Sequence, residues 1–105
     1  MKVFLIQQKQ LEELNVNKKI VKSSIQRIGV KRWLPLFEVL GEDGNTVTCS
    51  LRVQVNEEVR TWADLRLLAE WLRDKLCITE CVLYLNDFEL PDIGDSDEKS
   101  KRSID

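Results

Sequence analysis

Residues 33–55 read Trp33-Leu34-Pro35-Leu36-Phe37-Glu38-Val39-Leu40, then Gly41-Glu42-Asp43-Gly44-Asn45, then Thr46-Val47-Thr48-Cys49-Ser50-Leu51-Arg52-Val53-Gln54-Val55. Two apolar and β-branched runs flank five residues that tolerate tight turns, which is the pattern of a β-hairpin. In the second arm Val47, Cys49, Leu51, Val53 and Val55 alternate with Thr46, Thr48, Ser50, Arg52 and Gln54. One face is therefore expected to enter a core and the other to stay polar. Cys49 falls on the apolar face and reads as a core residue, because a buried setting disfavours the thiolate.

Downstream, Thr61 and Asp64 have the spacing of a capping box with the shorter acid in place of Glu, and predict a helix over 61–76. Its core stripe is Leu65, Leu68, Ala69, Leu72 and Leu76. A further strand is expected over 81–86, around Val82, Leu83, Tyr84 and Leu85. Beyond Pro91 the chain is charged, Ser-rich and free of aromatics, so 1–91 reads as one domain and 92–105 as a disordered tail. The expected core contains Val47, Cys49, Leu51, Val53, Leu65, Leu68, Leu72 and Leu83.

Upstream, Val3, Phe4, Leu5 and Ile6 are apolar on both faces, the pattern of a short strand in the middle of a sheet. Lys2 ahead of them superficially suggests a signal peptide, but the apolar run ends at Gln7 and no small-residue cleavage site follows. Asn17 reads as the cap of a helix over 17–28. Ile20, Val21, Ser24, Ile25 and Ile28 recur along one side of it, and Gly29 is placed to end it.

Thr61-Trp62-Ala63-Asp64-Leu65-Arg66 resembles the Thr-Val-x-Asp-Leu-Lys helix opening of ubiquitin-like domains. Leu83-Tyr84-Leu85 followed by Leu90-Pro91 resembles their third strand and its turn. On these residues 34–91 are similar to the ubiquitin-like β-grasp family. Within it, Leu51-Arg52-Val53-Gln54-Val55-Asn56 and Leu83-Tyr84-Leu85 with Leu90-Pro91 are most similar to the coilin amino-terminal domain, which self-associates. The resemblance implies an α+β β-grasp with an added N-terminal strand and helix, acting as an adapter. The family's last strand has no apolar counterpart after Pro91, and Val3 to Ile6 is the unassigned candidate for it. The chain ends without Gly-Gly, so ubiquitin-type conjugation is not expected. An alternative uses every element: strand, helix, strand, strand, helix, strand, the order of a ferredoxin-like βαββαβ sandwich.

At 105 residues and 43% hydrophobic composition there is room for one core. No apolar run approaches the length of a bilayer span, and three irregularly spaced cysteines suit a reducing compartment, cytoplasmic or nuclear. With no histidine, acid-base work at neutral pH would fall to strongly shifted carboxylates, Cys, Lys or Tyr, and no spacing singles any out. Cys77 and Cys81 lack the further ligands zinc needs, and the glycines form no phosphate loop. The expectation is a non-enzyme without metal, cofactor or small-molecule substrate.

Two binding readings follow. Leu67 and Trp71, four residues apart and opposite the core stripe of the second helix, would anchor a protein partner or a second copy. In the competing bland reading helix 17–28 covers Trp71. Charge gives the second class: residues 1–36 hold eight Lys or Arg against Glu12 and Glu13, although the whole chain is at −2. Lys18, Lys19, Lys22, Arg27, Lys31 and Arg32 would make a basic helical face suited to nucleic-acid phosphates. The sequence pI of about 5.2 favours the protein partner.

Overall fold

A computed structural model describes residues 2–53 and 58–88. The hairpin forms as expected: β3 (Arg32–Leu40) and β4 (Thr46–Leu51) pair antiparallel, with Phe37 beside Cys49 and Leu40 beside Thr46. Gly44 takes φ +86 in the loop, a conformation that L side chains adopt only with strain. β2 (Ile20–Gly29) lies antiparallel on the other side of β3. β1 (Val3–Ile6) joins β4 in parallel, and β5 (Val82–Tyr84) joins β2 in parallel. The five-stranded mixed sheet runs β1-β4-β3-β2-β5, with α1 (Gln8–Val16) and α2 (Leu65–Leu76) packed on it to complete an α+β domain.

β3 is central, and Leu34, Pro35, Leu36 and Phe37 are all buried, so this stretch is covered on both faces. On the helix side Ile25, Phe37, Val39, Cys49 and Leu51 meet Leu11 of α1 and Leu68, Leu72 and Leu76 of α2. Asn15 Nδ2 donates to the Leu76 carbonyl at 2.9 Å, tying the two helix ends together. On the opposite face Val3, Leu5, Leu34 and Leu36 form a second cluster with Ile28 and Val59 against it. Pro35 has no N–H to give and lies beyond the last β3–β4 pair; its carbonyl instead accepts from Ser50 Oγ at 2.6 Å.

Several expectations are corrected. The segment 17–28 is not a helix, because its Ile20, Val21, Ile25 and Ile28 are β-branched and it has a strand on each side to pair with. The N-terminal helix is the preceding Gln8–Val16, where the Gln7 N–H donates to Gln10 Oε1 at 2.9 Å and Leu11 is buried. Asn17 ends that helix instead of opening another: its N–H returns to the Glu13 carbonyl, and Lys18 turns left-handed at φ 58. The other left-handed residue near β2 is Lys31, in the turn to β3, and not Gly29.

α2 opens at Leu65, not Thr61. Asp64 is its cap, with Oδ1 accepting from the Arg66 N–H at 2.9 Å. Trp62 is held outside the helix by two backbone bonds to Trp33, its N–H to the Trp33 carbonyl at 2.7 Å and the return bond at 2.9 Å. Leu68, Leu72 and Leu76 are buried as expected, whereas Ala69 is exposed. Val3 to Ile6 does pair in the sheet, but at its edge: Val3 and Leu5 are buried while Phe4 is partly exposed. Val47 and Leu83, expected in the core, are exposed, because one sits next to the hairpin turn and the other on the last strand among the described residues. The seven elements also differ from the six of the ferredoxin-like alternative. The strand expected through Val55 ends at Leu51, with Arg52 bridging to Val59. Gln54, Val55, Leu90, Pro91 and the tail over 92–105 lie outside the described residues.

Candidate functional site

The Trp33–Trp62 bridge sets the chain entering α2 against β3, and this decides the surroundings of Trp71. The rings of Trp62 and Trp71 lie 5.3 Å apart at 52°. The Arg60 guanidinium sits 4.3 Å from the centre of Trp62 and 5.6 Å from that of Trp71, a cation over two aromatic faces. Arg60 also reaches Gln8 Oε1 at 3.4 Å, and its N–H donates to the Leu51 carbonyl. Trp33, Trp62 and Trp71 all pack against the helix-side core. Trp71 is thus half-buried among its own chain's groups, whereas Leu67 is 51% exposed. The two do not make the joint exposed anchor expected of them. Nor does a helix over 17–28 cover Trp71, since that segment is β2.

The basic face is also dispersed. Lys18 and Lys19 lie in the turn before β2, Lys31 in the turn after it and Arg32 at the start of β3. Ten strand residues span roughly 33 Å, so these pairs stand far apart rather than along one helical side. Arg27 is paired with Asp87, and Lys22 lies directly across from Glu38 on β3.

What the fold does expose is the end of the sheet. Among the described residues β5 is the last strand, and Val82, Leu83, Tyr84 and Leu85 are 38–63% exposed. They carry no charge and no proline, two of the devices with which proteins protect sheet edges, and the strand itself is only three residues long. Beside this strand Ala69, Leu72, Arg73, Cys77, Ile78 and Cys81 line a groove of about 480 Å³. Sequence reasoning assigned Leu83 to the core. The only signal for its exposure was that Glu80 and Asp87 bracket so short an apolar run.

All three cysteines are free. Burial pushes the Cys49 thiol above its ordinary value, and partial burial does the same to Cys81. A native chain treated with an aromatic disulfide reagent at mildly alkaline pH should label Cys77 and Cys81 rapidly, and Cys49 only after unfolding. Mass mapping of the labelled peptides checks this. Rapid labelling of Cys49 in the folded chain would contradict its place between the sheet and α2.

Among the described residues no helix is long and apolar enough to cross a membrane. Compared with family models, curated proteins and solved structures, the chain matches none.

Proposed function

We propose that this chain is a non-catalytic protein-binding module that accepts an extended segment of a partner, or of a second copy, alongside β5. The observation that carries this reading is the apolar, exposed β5 strand, which among the described residues stands at the end of the sheet. A strand placed there would satisfy the outward backbone groups of β5 through main-chain hydrogen bonds, while alternate side chains of the incoming segment supply specificity. The groove lined by Ala69, Leu72 and Ile78 adjoins the edge and offers a place for one of those side chains. Three free thiols are compatible with an adapter working in a reducing, intracellular compartment.

The ubiquitin-like resemblance belongs to the same proposal. In its favour is the order hairpin, helix, strand over β3, β4, α2 and β5. Against it is the pairing of β5 with β2, a strand outside the resembling stretch. Nucleic acid is the less favoured partner, because the six basic residues are spread over two turns and two strands and Arg27 is already paired.

The test combines light scattering with substitutions. Leu83→Lys with Leu85→Lys should weaken self-association or partner binding by about tenfold or more, as loss of central apolar anchors does. The thermal midpoint should stay within a few degrees, because both side chains are exposed. If those lysines change nothing while Glu at Lys18, Lys19 and Lys22 abolishes a salt-dependent association with nucleic acid, the proposal is wrong.

A further inference from the structure

The face of the sheet opposite the helices divides into two halves. Toward β1 it is apolar, with Val3, Leu5, Leu34 and Leu36. Toward β2 and β5 it is polar and concave, enclosing about 200 Å³. Strand register explains who meets there. Val3, Thr48, Glu38 and Lys22 form one row across four strands, and Leu36, Ser24 and Val82 form the next. Gln26 and Tyr84 belong to the row after that, and Phe88 closes one side.

Three features of this cavity are unusual for a surface that merely faces water. Ser24 is only 7% exposed, lines the cavity, and among the described residues its hydroxyl has no hydrogen-bond partner. A buried hydroxyl without a partner costs free energy, and a ligand group would recover that cost. Gln26 is buried too, and its Nε2 spends both donors on the Arg27 and Asn86 carbonyls, at 2.9 and 2.8 Å. This fixes the amide and leaves Oε1 as an acceptor. Lys22 and Glu38 are direct cross-strand partners of opposite charge, yet among the described residues they do not close into an ion pair within 4.0 Å. Their charges stand at the same cavity, one of each sign, open to a third group.

We propose that this cavity binds a small zwitterion of the free α-amino acid class. Glu38 takes the ammonium, and Lys22 with the Ser24 hydroxyl takes the carboxylate. Leu36, Tyr84 and Phe88 wall the space left for a small side chain. At about 30 Å³ of liquid volume per water, the cavity has room for a single small molecule rather than a folded chain segment. The assignment does not depend on the β5 reading, because Leu83 and Leu85 fall on alternate positions to Val82 and Tyr84 and so on the other face of the sheet.

The probes are L-alanine, L-serine and L-valine, with alaninamide and N-acetylalanine as controls that each lack one charge. Amide chemical shifts would be followed in the full chain through millimolar additions. Free amino acids should move the signals of residues 22–26, 38 and 84, and both capped forms should bind at least about tenfold more weakly. Glu38→Gln and Lys22→Met should each reproduce that loss. Ser24→Ala should weaken binding while leaving the thermal midpoint unchanged or higher, since it removes an unpaired hydroxyl; this separates a ligand role from a structural one. Equal binding of the capped forms, sensitivity to only one of the two charged variants, or no shifts with any amino acid would each overturn the proposal.

Discussion

Phe37→Ala should destabilise the domain by about 3–5 kcal/mol, the cost of truncating a large side chain in a packed core. Phe37 is fully buried on the central strand, beside Ser23 and Cys49 in the ladder and in the cluster with Leu68 and Leu72. No neighbour can collapse into the space, because both flanking strands are fixed by pairing. Against a total stability of about 5–15 kcal/mol for a typical domain, this loss leaves a marginal fold. In a chain of this size the thermal midpoint should fall by more than about 10 °C. Circular dichroism melts would read it. Val47→Ala, on the same hairpin but exposed, should stay within about 0.5 kcal/mol. A comparable loss at both positions would mean that β3 is not the centre of the core.

The hairpin was legible because its turn residues and its alternation agree with each other, and α2 because its leucines recur at helical spacing. β2 was not, and the reason lies in its backbone. Register shifts fall between Ile20 and Lys22 and between Arg27 and Gly29. Each shift breaks the two-residue period by which a strand is recognised. What remains, Ile20, Val21, Ile25 and Ile28, also fits one side of a helix, and only their β-branching spoke against that. Misreading β2 also hid the cavity, because Lys22, Ser24 and Gln26 fall on one face only in a strand. The exposure of β5 was illegible for a different cause. A short apolar run looks the same at the centre of a sheet and at its edge, and its position follows from pairings with residues some 58 places away in sequence.

Trp71→Ala should act on stability rather than on association, by about 2–3 kcal/mol. The value is below that of a fully buried tryptophan because the ring is half-buried. The loss has two sources. One is apolar contact with the helix-side core, and the other is the tilted contact with Trp62, an aromatic pairing usually worth about 0.5–1.5 kcal/mol beyond area. Arg60 then provides an internal check. Its guanidinium lies nearer Trp62 than Trp71, so Arg60→Ala should couple more strongly to Trp62→Ala than to Trp71→Ala in double-mutant cycles. The stronger coupling should be about 0.5–1 kcal/mol, as for cation–π contacts at partly exposed sites. Thermal or urea melts of the single and double variants measure both. If Trp71→Ala left the melt unchanged and abolished self-association, Trp71 would be the partner anchor after all, and the β5 edge would lose its claim to that role.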